Sequence, residues 1–152
     1  DGTSWTAGAA VPAARAQGAG YGTQTAGLIA GGIQSGPTVL SSTLEYDGSS
    51  WTAGGSMNIA RNTMADGNGS QTSALAASGG PGNITNCEIY DGTSWVTTAS
   101  VSTGRGQSTG LMSSAGATAG LIAGGYDTAD RNATEEFTGE TTGLGFSTIT
   151  TS

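Results

Sequence analysis

The chain has 152 residues, 28 of them Gly, with 35% hydrophobic and only 10% charged residues, a formal net charge of −7 and no His. Its basic residues are Arg15, Arg61, Arg105 and Arg131, and there is no Lys. An acidic surface so poor in cations displaces few phosphate counterions and is not drawn to an anionic bilayer, so neither nucleic acid nor membrane is expected as a partner. Cys87 stands alone, which excludes an intrachain disulfide, and metal centres built on Cys and His lack ligands.

A Gly-rich chain of this kind is either low-complexity disorder or all-β structure with many tight turns. Regularly spaced aromatics decide for the second. The pentad Asp-Gly-Ser/Thr-Ser-Trp occurs at 1–5, 47–51 and 91–95, so its Trp residues are Trp5, Trp51 and Trp95. Ten residues after each comes Arg15, Arg61 or Arg105. Gly pairs follow at Gly31-Gly32, Gly79-Gly80 and Gly124-Gly125, and Tyr46, Tyr90 and Phe137 close the units. The octapeptide at 25–32 recurs unchanged at 118–125. These features share one phase, which defines a single repeat domain over 1–152. Its units are approximately 1–46, 47–90 and 91–137, and 138–152 is a closing segment.

In chain order, the first unit predicts strands around Arg15 to Gly20, Ala26 to Ala30, Val39 to Tyr46 and Ser50 to Ala53. Asp47-Gly48 reads as the hairpin turn between the last two, because Gly accepts positive φ without steric cost. Leu75-Ala76-Ala77 and Leu121-Ile122-Ala123 read as the buried strands of the later units. The units are too rich in Gly, Thr and Ser for helical repeats. Four short strands in about 45 residues make one blade of a β-propeller, so the expected fold is all-β with about three blades in this chain.

The pattern resembles the kelch repeat: a Gly pair ending the second strand, an aromatic some way on, and a Trp about five residues later. Gly31-Gly32, Tyr46 and Trp51 fill these places, as do Gly79-Gly80, Tyr90 and Trp95; Gly124-Gly125 and Phe137 match without a following Trp. The phrasing Tyr-Asp-Gly-Thr-Ser-Trp, the Ala-Arg pair and Thr-Ala-Gly-Leu-Ile-Ala-Gly-Gly are similar to kelch-like repeats of marine bacteriophages. The close of the chain looks like the C-terminus of that group. The resemblance implies a tail or fibre component of a virion, or an extracellular protein. The leading expectation is then a non-catalytic structural or adhesion module of a virion, with loops facing a host glycan or surface receptor, or a neighbouring subunit. A bacterial secreted or surface carbohydrate-binding propeller is the alternative.

No enzyme site or cofactor-binding pattern is evident. The Trp residues would stack sugars if exposed, but their identical phase favours packing anchors between blades, with Trp51 largely buried. Arg15, Arg61 and Arg105 are expected at equivalent places about one axis, paired with backbone carbonyls or with Glu45, Glu88 and Glu136. Adjacent Glu135 and Glu136 would point to opposite faces of a strand and make a poor catalytic pair. Cys87 is expected as small core filler, and a kelch-type copper oxidase would need His ligands. The run at 127–132 faintly resembles a calcium loop with its Gly and Glu misplaced. Three blades do not close a ring, since propellers use about four to eight. Trp5 would belong to a fourth strand lacking its own blade, and Thr142–Thr150 could supply the last fourth strand with Phe146 in place of Trp. Either further blades lie upstream, or copies of the chain associate to complete a ring.

Overall fold

The computed structural model describes residues 2–65, 69–112 and 118–139. Within them the chain is all-β, with three antiparallel sheets and no helix. Sheet 1 holds β1 (Ala19–Thr23), β2 (Ala26–Ala30), β3 (Thr43–Tyr46) and β4 (Trp51–Gly54), each paired with its predecessor. Sheet 2 repeats the order with β5 (Gly69–Ser70), β6 (Ser73–Ala77), β7 (Cys87–Tyr90) and β8 (Trp95–Thr98). Sheet 3 contains β9 (Thr109–Met112), β10 (Ala119–Ala123) and β11 (Thr134–Thr138). The closing strand expected at 142–150 lies outside the described residues. The sheets straddle the sequence units, because the Trp strand that follows each Asp-Gly turn completes the sheet begun before it.

Two strands differ from expectation. β1 begins at Ala19 rather than near Arg15, because Gln17 has a left-handed φ of 57° that interrupts the extended run. β3 begins at Thr43, and Val39 contributes only an isolated bridge to Ile33. The Asp-Gly turn forms as the sequence implies. Gly48 has φ 95°, and the Asp47 carboxylate accepts hydrogen bonds from Ser49 N and Ser50 N, both at 2.7 Å. Those backbone donors hold the Asp47 carboxyl well below the ordinary carboxylate range. Asp91 accepts from Thr93 N and Ser94 N in the same way, at 2.8 Å each.

Strand register defines which residues are equivalent. Tyr46 lies opposite Gly27 and Trp51, Tyr90 opposite Ala74 and Trp95, and Phe137 opposite Gly120. Sheet 2 lies between the other two, and β6 is buried on both faces. Its Ala74 and Ala76 join Ala19, Tyr21, Leu28 and Ala30 of sheet 1 in one core, while Leu75 and Ala77 join Cys87 and Ile122 in a second. Ala has low β-propensity, but small side chains let packed sheets approach closely, so tertiary packing overrides propensity here.

The residues after the second strand explain the Gly pairs. A Cβ on Gly31 would come within 2.3 Å of Arg61 O, and one on Gly32 within 2.6 Å of Ala16 O. In sheet 2 the register shifts the equivalent pair by one residue from the Gly79-Gly80 read in the sequence. Ser78 (φ 57°) and Gly79 (φ 106°) match Gly31 and Gly32, and Gly124 (φ 64°) and Gly125 (φ 109°) match them in sheet 3. Ser78 bears the cost of a left-handed non-Gly residue because it is fully buried and its Oγ is engaged with Arg105 N and Arg105 O, both at 2.7 Å.

Candidate functional site

The three sheets meet along a row of left-handed residues that the sequence reading missed. Gln17, Thr63 and Gln107 have φ of 57°, 50° and 54°. Thr63 N donates to Gln17 O and Gln107 N to Thr63 O, both at 2.9 Å. Their spacings of 46 and 44 residues are those of the Trp pentads, and each lies two residues after a repeat arginine. That offset was the available signal.

The arginines precede the first strand of each sheet; Arg15 and Arg61 reach the turn beyond its second strand, at Gly31 O and Ser78 O, whereas Arg105 reaches Glu135 on its third. Arg61 is 0% exposed. Its Nη1 donates to Asn86 O at 2.7 Å and Ser78 O at 3.3 Å, and its Nη2 to Glu88 Oε1 at 2.6 Å. Glu88, also fully buried, accepts further bonds from Asn58 N (2.7 Å), Asn58 Nδ2 (2.8 Å) and Ile59 N (3.2 Å). The pair is thus neutralised and its lone pairs are used, which a buried ion pair requires. Arg105 donates to Glu135 Oε1 at 2.6 Å, and Ser102 N to Glu135 Oε2 at 2.7 Å. Burial pushes the Glu135 carboxyl upward, but these donors outweigh it and hold it below its usual value. Arg15 has no carboxylate partner among the described residues. It donates to Gly31 O and Ser42 O at 3.3 Å, and burial lowers its pKa.

Register corrects the expected carboxylates. Glu88 and Glu135 occupy one equivalent position, opposite Ala76 and Ile122; in sheet 1 that position is Leu44, opposite Ile29. Glu45 and Glu136 sit one residue further on, so the pleat turns them to the other face. Glu45 instead accepts a hydrogen bond from the Tyr90 hydroxyl of sheet 2. Burial foremost, and then this carboxylate, push the Tyr90 pKa up to about 12.

The three Trp residues are placed differently. Trp95 is 5% exposed, its Nε1 donates to Thr43 Oγ1 at 2.9 Å, and its ring lies 5.0 Å from Tyr90 and 6.4 Å from Tyr21 of sheet 1. It is the anchor between sheets 1 and 2. Trp51 is only half-buried, 4.7 Å from Tyr46, with Nε1 donating to Ala9 O at 3.1 Å. No further sheet covers that face of sheet 1 among the described residues. Trp5 is not a packing anchor within the chain: it is 102% exposed and no strand includes it. An open cleft of about 850 Å³ includes Trp5, Tyr46 and Trp51 in its lining.

Phe137 is half-buried against the second core, without an aromatic neighbour among the described residues. Beside it a cavity of about 210 Å³ opens between sheets 2 and 3, lined by Leu75, Ala77, Cys87, Ile122 and Phe137. Its volume is below the ~300–1,000 Å³ typical of small-molecule sites, so it suits a side chain. Cys87 is buried, and desolvation raises its thiol pKa, the opposite of a reactive thiolate. In the run at 127–132, the Asp127 carboxylate is engaged by Arg131 at 2.6 Å. No group of His, Cys, Asp and Glu suited to a metal occurs among the described residues, where no helix is long and apolar enough to cross a membrane. Compared with protein-family models and with curated proteins, the chain matches none.

Proposed function

We propose that the three sheets are blades of a kelch-like β-propeller acting as a non-catalytic structural and adhesion module, carried on a virion as part of a phage tail or fibre. One observation carries the propeller reading: Gln17, Thr63 and Gln107, in one backbone conformation and at the repeat spacing, are joined in series by 2.9 Å backbone bonds. Such a row is what the inner ends of blades around an axis would make. The repeat arginines support a scaffolding role, because Arg61 and Arg105 are buried and each is held in an internal ion pair. The virion assignment rests on the resemblance of the repeat phrasing to marine phage proteins. It is tested by locating the coding sequence and probing purified particles with antibody: a position among capsid and tail genes with labelled particles is expected, and a distant locus with unlabelled particles refutes it.

One observation favours the second reading, a bacterial secreted or surface carbohydrate-binding propeller. The cleft bounded by Trp5, Tyr46 and Trp51 gathers aromatic faces of the kind that stack on sugar rings. A glycan array separates the readings: binding abolished by Tyr46→Ala, from particle-free bacterial extracellular protein, supports the second.

A further inference from the structure

Sheets 1 and 2 each carry a fourth strand that sheet 3 lacks among the described residues, and the chain contains a spare copy of that strand. Residues 4–8, Ser-Trp-Thr-Ala-Gly, are identical to residues 50–54, and residues 51–54 form β4. Yet residues 4–8 belong to no strand, and Trp5 projects into solvent. At the other end of the described structure, no strand pairs with the outer edge of β11. An open edge of this kind is a template for a further strand.

The cavity beside Phe137 has the shape of the missing contact. In both complete sheets the closing aromatic lies opposite a Trp with rings 4.7 or 5.0 Å apart and 33° between planes. Phe137 occupies that closing position. The slot that receives Trp95 includes Thr43, Leu28 and Ala30; their register equivalents in sheet 2 are Cys87, Leu75 and Ala77, which line the cavity.

We propose that the cavity takes Trp5 of a second copy of this chain, whose residues 4–8 add to β11 as the fourth strand of sheet 3. The inference rests on the propeller reading above. The register of β3 with β4 places Trp5 opposite Phe137, Thr6 opposite Glu136 and Ala7 opposite Glu135. The indole N–H then faces Cys87 as that of Trp95 faces Thr43. The second copy's sheet 1 follows its residues 4–8 in the chain, as sheet 2 follows β4, so it comes against sheet 3. The faces match: Gly27, Ile29, Tyr46 and Trp51 are the equivalents of the sheet 2 residues Ala74, Ala76, Tyr90 and Trp95 that cover sheet 1, while half-buried Leu121 and Ala123 are the equivalents of Leu28 and Ala30, which are covered. Reciprocal exchange between two copies makes six sheets, within the ~4–8 of closed propellers.

The test uses the 152-residue chain. Light scattering should give twice the chain mass, and Trp5→Ala should give the single-chain mass with an unchanged β-sheet circular dichroism spectrum. In a Cys87→Ala background, chains carrying Thr6→Cys and chains carrying Glu136→Cys are mixed and oxidised; a disulfide joining the two kinds of chain is expected, and Trp5→Ala should abolish it. A monomer at all concentrations overturns the proposal, as does a 6–136 disulfide formed only within one chain when both substitutions are present. Cross-linking that occurs only after residues 140–152 are removed also overturns it, because the chain's own end then holds the edge. If the chain is monomeric while Trp95→Ala still destabilises it, the exchange fails and the packing of sheets as blades stands.

Discussion

Replacing Trp95 with Ala tests the inter-sheet core at its centre. Truncating a buried Trp to Ala typically costs about 3–5 kcal/mol. Trp95 lies toward the upper end, because its ring also meets Tyr90 and Tyr21, and aromatic pairs contribute about 0.5–1.5 kcal/mol each beyond area. The change also strands the buried Thr43 hydroxyl, a loss of about 1–3 kcal/mol where water does not replace the donor. Trp51 holds the same repeat position but is half-buried with one aromatic neighbour, so Trp51→Ala should cost roughly half as much. Both are to be measured by urea unfolding, followed by circular dichroism, in a Trp5→Ala background that removes any contribution from association. Trp95→Phe, which keeps a ring but not the indole donor, should fall between Trp95→Ala and the parent. A Trp95→Ala loss below about 1 kcal/mol, or one smaller than that of Trp51→Ala, would refute the assignment of Trp95 as the anchor.

Arg61→Met should destabilise by about 3–5 kcal/mol, as expected when a buried carboxylate loses its partner, while Arg61→Met combined with Glu88→Leu should cost clearly less; additive losses on chemical denaturation would contradict the buried pair. Leu44→Glu places a carboxylate at the register position of Glu88 and Glu135, beside Arg15, and should cost under about 1 kcal/mol, whereas Leu28→Glu should cost over about 3 kcal/mol because the sheet 2 residues packed on it are apolar; thermal melts of equal depression would refute the register. Tyr90 should remain protonated past pH 10, the ordinary value for a tyrosine, its absorbance at 295 nm appearing only near pH 12. Because its folded pKa is raised, the associated stability is complete below about pH 10 and lost as pH rises through about 12. Subtracting the titration of Tyr90→Phe isolates this group, and a component near pH 10 would show that Tyr90 is not buried.

The repeat, its phase and the all-β class were legible in the sequence because they depend on local chemistry that recurs. Asp47 and Gly48 make their turn with neighbours two and three residues away, so the pentad alone announces it. The short apolar runs that begin at Leu28 and Leu75 and end at Gly pairs likewise mark buried strands. Pairing between elements was not legible, because it depends on register, which a shift of one residue inverts. That is why Glu135 rather than Glu136 meets Arg105, why Ser78 rather than Gly80 shares the Gly pair at Gly79, and why sheet 1 offers Arg15 Leu44 where the other sheets have Glu88 and Glu135. Three Trp residues at one repeat position also became three environments, buried at Trp95, half-buried at Trp51 and solvent at Trp5. A repeat dictates what each copy offers to its neighbour, but burial is a property of the neighbour being there. Only the tertiary structure decides that, because the apolar area a side chain removes from water depends on which sheet covers it.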